Sequence, residues 1–328
     1  MARRPGVLVN ANARRARRDP RLVERLRAQV PPERVQTTTR LEELAPALES
    51  LLAEEPDALV IVGGDGTLAH AMTALLARFD PEKLPAIVPT RGGTVNTVAS
   101  SLGARGTPEW TLAALLHGDA FRDERRAVVR VAADGAEPMC GFVFANGVGA
   151  RFLELYYGDS PMGPLGALSV LSRITGSALV GGALARRVFE PFEAELVVDG
   201  ENKGWQRFTV IVAGGVRHIG LGFPVFHSAG RDPERIHLAT TSAGPARIAR
   251  ELPALRAGAP GRSLSHYAMR RARLRTALPL PWTIDAEFFP PARELEIAAG
   301  PALRFWTPTA TPGRWHSFPR GPGSTASA

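Results

Sequence analysis

The segment from Val60 to Leu68, with the sequence VIVGGDGTL, constrains the fold of this chain more than any other feature. A continuous apolar run from Ala58 to Val62 is typical of a buried parallel strand, and a helical pattern follows the glycines at once. Glycines let backbone N–H groups approach a ligand without an intervening Cβ. A helix N-terminus adds unpaired donors and a partial positive charge. The turn is therefore predicted to bind phosphate, through the residues Gly63, Gly64, Asp65, Gly66 and Thr67.

Asp65 is a carboxylate at a turn predicted to hold a polyanion. A Mg²⁺ ion held between the carboxylate and phosphate oxygens would reconcile the two charges. Asp65 is accordingly predicted to be catalytic and to act through magnesium. The alternative is that Asp65 or Thr67 only caps the helix. The turn lacks the Gly-Lys-Ser/Thr ending of a Walker loop, which excludes that class of site.

A second glycine-rich loop runs from Pro89 to Ala99, with the sequence PTRGGTVNTVA. It follows the apolar run Ala86 to Val88 and precedes a helical pattern. Adjacent parallel strands deliver their following loops to one edge of a sheet, where open α/β sheets bind ligands. The residues predicted to complete a nucleotide site with the first loop are Gly93, Thr94 and Asn96. A purely structural cap is the alternative.

Together the two loops resemble the diacylglycerol kinase catalytic family, in particular its bacterial soluble lipid kinases, which are related to sphingosine and ceramide kinases. The resemblance extends over about residues 6–308 and is specific at the two loops. It implies an N-terminal α/β domain with a parallel sheet and a C-terminal, mainly antiparallel β-sandwich with inserted helices. It also implies ATP and Mg²⁺ as cofactors and a lipid hydroxyl, diacylglycerol-like, as the acceptor of the γ-phosphate.

Further residues are assigned only through this resemblance. Asn10 is similar to the asparagine that opens the family's first ATP-contacting loop, although the proline and glycine usual there are absent. Thr38, or its neighbour Thr39, is similar to the threonine that ends the second strand. Thr97 stands where the family's Gly-Thr-x-Asn-Asp loop has its aspartate.

Three later matches are weaker. Asp285-Ala286-Glu287 resembles the family's Asp-Gly-Glu, which implies that Glu287 is the proton acceptor; exposed acids on an edge strand are the alternative. Asp232 resembles the ligand of a structural Mg²⁺, with Pro233 in place of the usual glycine. Ala69-His70 replaces an Asn-Glu pair, which either alters rate or substrate or leaves His70 facing solvent.

Pattern changes along the chain predict a nucleotide-binding domain at 1–122, a β-sandwich lipid-substrate domain at 123–308 and a disordered tail at 309–328. We predict helices within 149–186, 245–256 and 263–276, and a strand from Trp282 to Phe289.

Composition bears on partners and location. The formal charge is +8, with Lys83 and Lys203 as the only lysines, and the single cysteine and the absence of a signal peptide predict a cytoplasmic protein. Residues 152–185 are apolar and are followed by Arg186 and Arg187, which suits an acyl-chain entrance beside an anionic membrane surface or, equally, a packing helix. Nucleic acid is not expected as a partner, and a homodimer is left open. A kinase acting on NAD or a sugar phosphate and a catalytically impaired binding protein are the rival functions.

Overall fold

The first part of the protein is a parallel sheet. The computed structural model describes residues 3–159 and 163–310. Its first four strands are β1 (Pro5–Asn10), β2 (Val35–Thr38), β3 (Ala58–Val62) and β4 (Ala86–Pro89). They are ordered β4-β3-β1-β2, and every neighbouring pair is parallel. The segments that follow these strands therefore leave from one edge of the sheet.

Six helices cover this sheet: α1 (Arg14–Arg18), α2 (Leu22–Arg27), α3 (Leu44–Ala53), α4 (Asp65–Arg78), α5 (Thr97–Ser101) and α6 (Pro108–Leu116). Alternate side chains of a strand point to opposite faces. Leu59 and Ile61 pack in one apolar cluster with residues of α3 and α4. Val60 and Val62 pack in another with residues of α2 and α6. Both faces of the sheet are thus buried by helices, which confirms the predicted α/β fold class.

The second part is mainly antiparallel. Its strands are β5 (Phe121–Ala133), β6 (Met139–Gly141), β7 (Val143–Gly147), β8 (Phe192–Val198), β9 (Glu201–Phe208), β10 (Val210–Gly214), β11 (Ile236–Thr241), β12 (Ser265–Met269), β13 (Arg271–Ile284) and β14 (Glu287–Pro308). Buried side chains from β5, β8, β10, β11, β13 and β14 share one apolar cluster, as the two layers of a sandwich require.

Helices interrupt the strands of the second part: α7 (Val148–Asp159), α8 (Pro164–Leu179), α9 (Ala183–Val188) and α10 (Pro245–Arg256). The helices predicted within 149–186 and 245–256 are therefore confirmed. Within residues 3–159 and 163–310, no helix is both long and apolar enough to cross a membrane.

The last strand connects the two parts. β14 pairs with β5 and β13 in antiparallel fashion, and its residue Phe305 pairs with Ile87 of β4 in parallel. β14 thus returns to the parallel sheet, and it joins the hairpin between β13 and β14 to the sheet that carries the two glycine loops. The domain limits at 122 and 308 stay predictions, and the tail from residue 311 onward lies outside the described residues.

Two predicted elements were wrong. Residues 263–276 form β12 and the start of β13, because Arg271, Arg273 and Arg275 alternate with buried side chains at the period of a strand. The predicted strand from Trp282 to Phe289 is broken by a turn at Asp285 and Ala286, whose φ angles are +48° and +71°. Two successive positive φ values are typical of the tight turn of a two-residue hairpin.

Candidate active site

The two glycine-rich loops touch each other through their backbones. The Gly92 N–H donates to the Gly63 carbonyl oxygen at 3.0 Å. A Cβ placed on Gly93 would lie 2.5 Å from the Cα of Gly64, and one on Gly63 would lie 2.4 Å from the Cβ of Thr67. A side chain on Gly93 would force the loops apart, and one on Gly63 would clash within the first loop. The expected convergence of the loops at one sheet edge is therefore confirmed, and glycine is a steric requirement at the contact.

Asp65 binds the second loop. Its Oδ2 accepts a hydrogen bond from the Thr97 N–H at 2.7 Å, and its Oδ1 accepts from Val98 at 3.1 Å and Ala99 at 3.4 Å. These are the first amides of α5, so the carboxylate caps that helix and not its own. Burial raises the pKa of Asp65, and the three amide hydrogen bonds oppose this shift. The carboxylate thus holds the two loops together.

Asn10 and Thr67 join the first strand to the phosphate turn. The Asn10 Nδ2 donates to Thr67 Oγ1 at 2.8 Å. Asn10 is paired with Thr38 across β1 and β2, and the Thr38 carbonyl accepts from the Ala11 N–H at 2.9 Å. Thr38 is buried, whereas the exposed Thr39 binds Glu43 through its side chain. Of the two threonines considered from the sequence, Thr38 is the one beside Asn10.

Asn96 shapes the second loop. It adopts a left-handed conformation with φ +54°, which asparagine tolerates better than most residues. Its Oδ1 accepts from the Gly93 N–H at 2.7 Å, and its Nδ2 donates to the Gly93 carbonyl at 3.1 Å. Thr94 lies within this closed turn and is partly exposed.

The space between the loops is too small for a nucleotide. The cleft lined by Ile61, Asp65, Leu68, Thr90 and Ala99 has no room even for a water molecule, whereas ligand pockets commonly have volumes of roughly 300–1,000 Å³. Any phosphate bound here would have to lie over the loops and not between them. There, Gly64 precedes α4 and provides no side-chain cap, which leaves the first amides of α4 available to an anion.

The hairpin between β13 and β14 brings Glu287 onto the phosphate turn. Glu287 Oε2 lies 3.7 Å from the position of a Cβ on Gly66. The hairpin is fixed by Asp285, which accepts from the N–H of Phe142 at 3.0 Å and of Val143 at 2.8 Å. Burial raises the pKa of Asp285 well above its usual range, and the negative charges of Asp65 and Glu287 add to the rise. Three carboxylates therefore lie within electrostatic range of one another.

His70 and Tyr157 complete this cluster. His70 Nε2 lies 2.8 Å from Glu287 Oε2, so His70 faces the site. A solvent-facing His70, the second interpretation offered by the sequence, is not what the structure shows. The Tyr157 hydroxyl donates to the Ala286 carbonyl at 3.0 Å. Burial raises the pKa of Tyr157, with a further contribution from neighbouring negative charges that include Glu287 and Asp65.

Asp232 is engaged by its own segment. Its Oδ1 accepts from the Glu234 N–H at 2.9 Å, and its Oδ2 lies 3.4 Å from the Arg235 Nε. Among the described residues, no three His, Cys, Asp or Glu side chains form a group that could hold a metal ion. A metal at Asp232 would depend on backbone carbonyls, and this role stays a prediction.

The sequence interpretation missed the contact between His70 and Glu287 and the anchoring role of Asp285. One local signal was available for the first. His70 follows Gly66 by four residues, and residues at this spacing lie on the same face of a helix. The spacing therefore predicts that His70 faces the same neighbouring segment as Gly66.

A protein-family model and solved structures match this chain. Residues 4–123 match the family model described as "Diacylglycerol kinase catalytic domain". Among curated protein sequences, none matches the chain.

Solved structures from Bacillus anthracis str. Sterne match nearly the whole chain. One, a candidate diacylglycerol kinase, is 17% identical with a TM-score of 0.63 and covers 91% of this chain and 96% of its own. A second, a diacylglycerol kinase, is 14% identical with a TM-score of 0.58, covering 92% and 95%. A third, again a candidate diacylglycerol kinase, is 14% identical with a TM-score of 0.63, covering 93% and 98%. At these identities the likeness establishes the fold.

The family match covers both glycine loops and supports a kinase-type phosphotransferase. The resemblance predicted from the two glycine loops is confirmed over residues 4–123, which match the diacylglycerol kinase catalytic domain.

Proposed function

We propose that this protein is an ATP-dependent lipid kinase that transfers the γ-phosphate of ATP to the hydroxyl of a diacylglycerol-like lipid. One observation carries the proposal: Glu287, from the far end of the chain, lies directly on the phosphate turn, with its Oε2 3.7 Å from the Cβ position of Gly66. A carboxylate in reach of a phosphate-binding turn suits a general base for an incoming hydroxyl. A turn that served only as a structural cap would have no use for it.

The phosphates would lie over the loops. The first amides of α4 have no side-chain cap, and Thr67 in that first turn accepts from Asn10, so the phosphates would lie where Asn10 and Thr67 meet. Asp285 and Glu287 bring carboxyl groups to this region, and burial raises the pKa of Asp285, so the charge of a polyphosphate there would need a cation beside it. Magnesium fits, because it is commonly held by one or two carboxylates together with substrate phosphates. When bound, it would neutralise charge on the phosphates.

In the transfer, the O–H bond of the acceptor breaks and its proton passes to Glu287. The acceptor oxygen forms a bond to the γ-phosphorus, and the bond from that phosphorus to the bridging oxygen breaks, so that ADP leaves with the electron pair. The protein contributes mainly by positioning and by charge stabilisation in such reactions. The role of Asp65 is to keep the two loops in register through α5.

A lipid acceptor is supported by the surface of α8 and its neighbours. Large apolar side chains are exposed there: Leu165, Leu168, Leu179 and Val180. A groove of about 460 Å³ between α8 and α10 is lined by Leu171, Phe223, Leu252 and Arg256, among others. Exposed apolar surface of this kind is typical of an interaction site, and the adjoining Arg186 and Arg187 would favour an anionic membrane. We propose a cytoplasmic enzyme that works at the membrane surface.

The test is incubation of the protein with γ-labelled ATP, magnesium and, separately, diacylglycerol vesicles, NAD⁺ and fructose 6-phosphate. The proposal expects label in the lipid product alone. Label in NAD⁺ or in the sugar phosphate would show that the acceptor is not a lipid. ATP binding without transfer to any acceptor, including a total lipid extract, would favour a protein that has lost catalysis.

Co-sedimentation with vesicles tests the membrane contact separately. Vesicles with anionic lipid should retain the protein better than neutral ones. Absence of binding to either kind would contradict a membrane-drawn substrate.

A further inference from the structure

The Glu287 side chain is held in place by His70. His70 Nε2 lies 2.8 Å from Glu287 Oε2, and the side chains are 22% and 44% exposed. An ionised carboxylate only accepts hydrogen bonds, so the hydrogen of this contact must belong to the imidazole Nε2. We propose that His70 is the positioning residue for Glu287: its Nε2–H fixes Oε2 and leaves Oε1 to accept the proton of the acceptor hydroxyl. This inference rests on the proposed kinase function.

The backbone alone does not position the carboxylate. Glu287 is the first residue of β14, paired with Ile284, and its long side chain projects from the hairpin turn. A glutamate side chain has several rotatable bonds and loses conformational entropy when it is fixed, so it stays in one place only if a partner holds it. Among the described residues, His70 is the side chain that hydrogen-bonds to Glu287, and Oε1 has no such partner there. Without His70, the carboxylate would be free to turn into solvent.

The other neighbours of the hairpin act on its backbone. Tyr157 binds the Ala286 carbonyl, and Asp285 binds two amides of the segment leading into β7. These contacts fix the backbone position of Glu287 and do not set the direction of its side chain. Neither contact gives the Glu287 carboxylate a donor, and His70 supplies the one that its Oε2 has among the described residues.

The position of His70 is itself rigid. It lies on α4, one turn after Gly66, and its neighbours Ala69 and Ala71 are buried in the core. A donor on a packed helix places its hydrogen bond more accurately than one on a loop. His70 therefore sets the position of the Glu287 carboxylate relative to the phosphate turn.

Steady-state kinetics of three variants test the role. His70→Ala removes the donor, and a misplaced base should lower kcat by about 10- to 100-fold, since about 1 Å of displacement can cost that much. The KM for ATP should change by less than about two-fold, because a loss confined to the transition state leaves ground-state binding intact. His70→Gln keeps an N–H donor and should restore most of kcat. His70→Glu places a like charge opposite Glu287 and should be at least as slow as His70→Ala.

His117→Ala is the matched control, because His117 follows α6 outside the loops and the hairpin. Thermal unfolding of each variant checks that the fold is kept. A kcat for His70→Ala within about two-fold of the wild type would overturn the inference. Equal losses in His70→Ala and His70→Gln would overturn it too, since they would indicate packing and not hydrogen bonding.

Nitrogen-15 NMR of the imidazole gives a readout that does not need activity. We expect neutral His70 as the Nε2–H tautomer in the wild type and as a mixture of tautomers in Glu287→Ala. An active enzyme with the Nδ1–H tautomer would overturn this inference and leave the kinase function standing. A wild-type protein with the Nε2–H tautomer that labels no acceptor would instead overturn the proposed function, and with it the role given to the contact.

Discussion

Replacing Asp65 by alanine should separate the two loops. The carboxylate accepts three hydrogen bonds from the first amides of α5, at 2.7, 3.1 and 3.4 Å. A net contribution of about 1.5–3 kcal/mol is usual for a hydrogen bond to a charged group. The longest of the three is weak, and burial of the carboxylate, which raises its pKa, offsets part of the gain.

The two shorter hydrogen bonds stabilise the fold, and the burial of the carboxylate opposes them. Together they determine how much stability Asp65→Ala loses. The loss of a helix cap costs about 0.5–2 kcal/mol in simple cases. With two good charge-assisted bonds lost together, we expect Asp65→Ala to lower the free energy of unfolding by about 2–4 kcal/mol. Asp65→Asn keeps one accepting oxygen and should lose roughly half as much.

Urea denaturation followed by circular dichroism measures both variants, and the KM for ATP should rise in Asp65→Ala as the loops loosen. The reasoning is refuted if Asp65→Ala stays within about 0.5 kcal/mol of the wild type, the range of ordinary surface substitutions, while turnover is lost. Asp65 would then act on the substrate or its metal and not as the clamp between the loops.

Three further perturbations follow from the hairpin. Glu287→Gln should lower kcat by about 10²–10⁴-fold, the usual contribution of a general base, with ATP affinity by calorimetry nearly unchanged; an unaltered kcat would remove Glu287 from this role. Ala286→Gly should raise the free energy of unfolding by about 0.5–1 kcal/mol, because alanine is strained at φ +71°, and a lower melting temperature would contradict this. Asp285→Asn should become more stable relative to the wild type as the pH rises from about 4, since burial raises the pKa of Asp285 and its ionisation therefore disfavours folding above the unfolded-state value. Urea denaturation across a pH series measures this difference, and a difference that is constant with pH would refute it.

The parallel sheet and the phosphate turn could be predicted because their signals are local. The apolar run ending at Val62 and the glycines beyond it lie within a few residues of each other. The second loop repeats the pattern after β4. Because parallel strands end at the same edge of a sheet, both loops were expected at one edge. The structure places them there.

The hairpin that holds Glu287 could not be predicted in the same way. Its turn residues are Asp285 and Ala286, whereas the usual signal for two positive φ values is a glycine in the second position. The apolar residues on either side therefore suggested one continuous strand. The turn is kept by contacts with β7 and α7, which are distant in the sequence.

The contact between His70 and Glu287 joins residues 217 positions apart. Local patterns can place each on its own element, and only the assembled fold brings them together. The contact of Asp65 with α5 was missed for a similar reason, because its amide partners belong to the second loop and not to its own helix. Its catalytic role through magnesium stays a prediction.

A crystal structure with magnesium and a non-hydrolysable ATP analogue tests the central claim most directly. We expect the triphosphate over the two loops, bound by the amides that begin α4, with its terminal phosphorus facing Glu287. A triphosphate bound elsewhere, or a terminal phosphate directed away from Glu287, would contradict it.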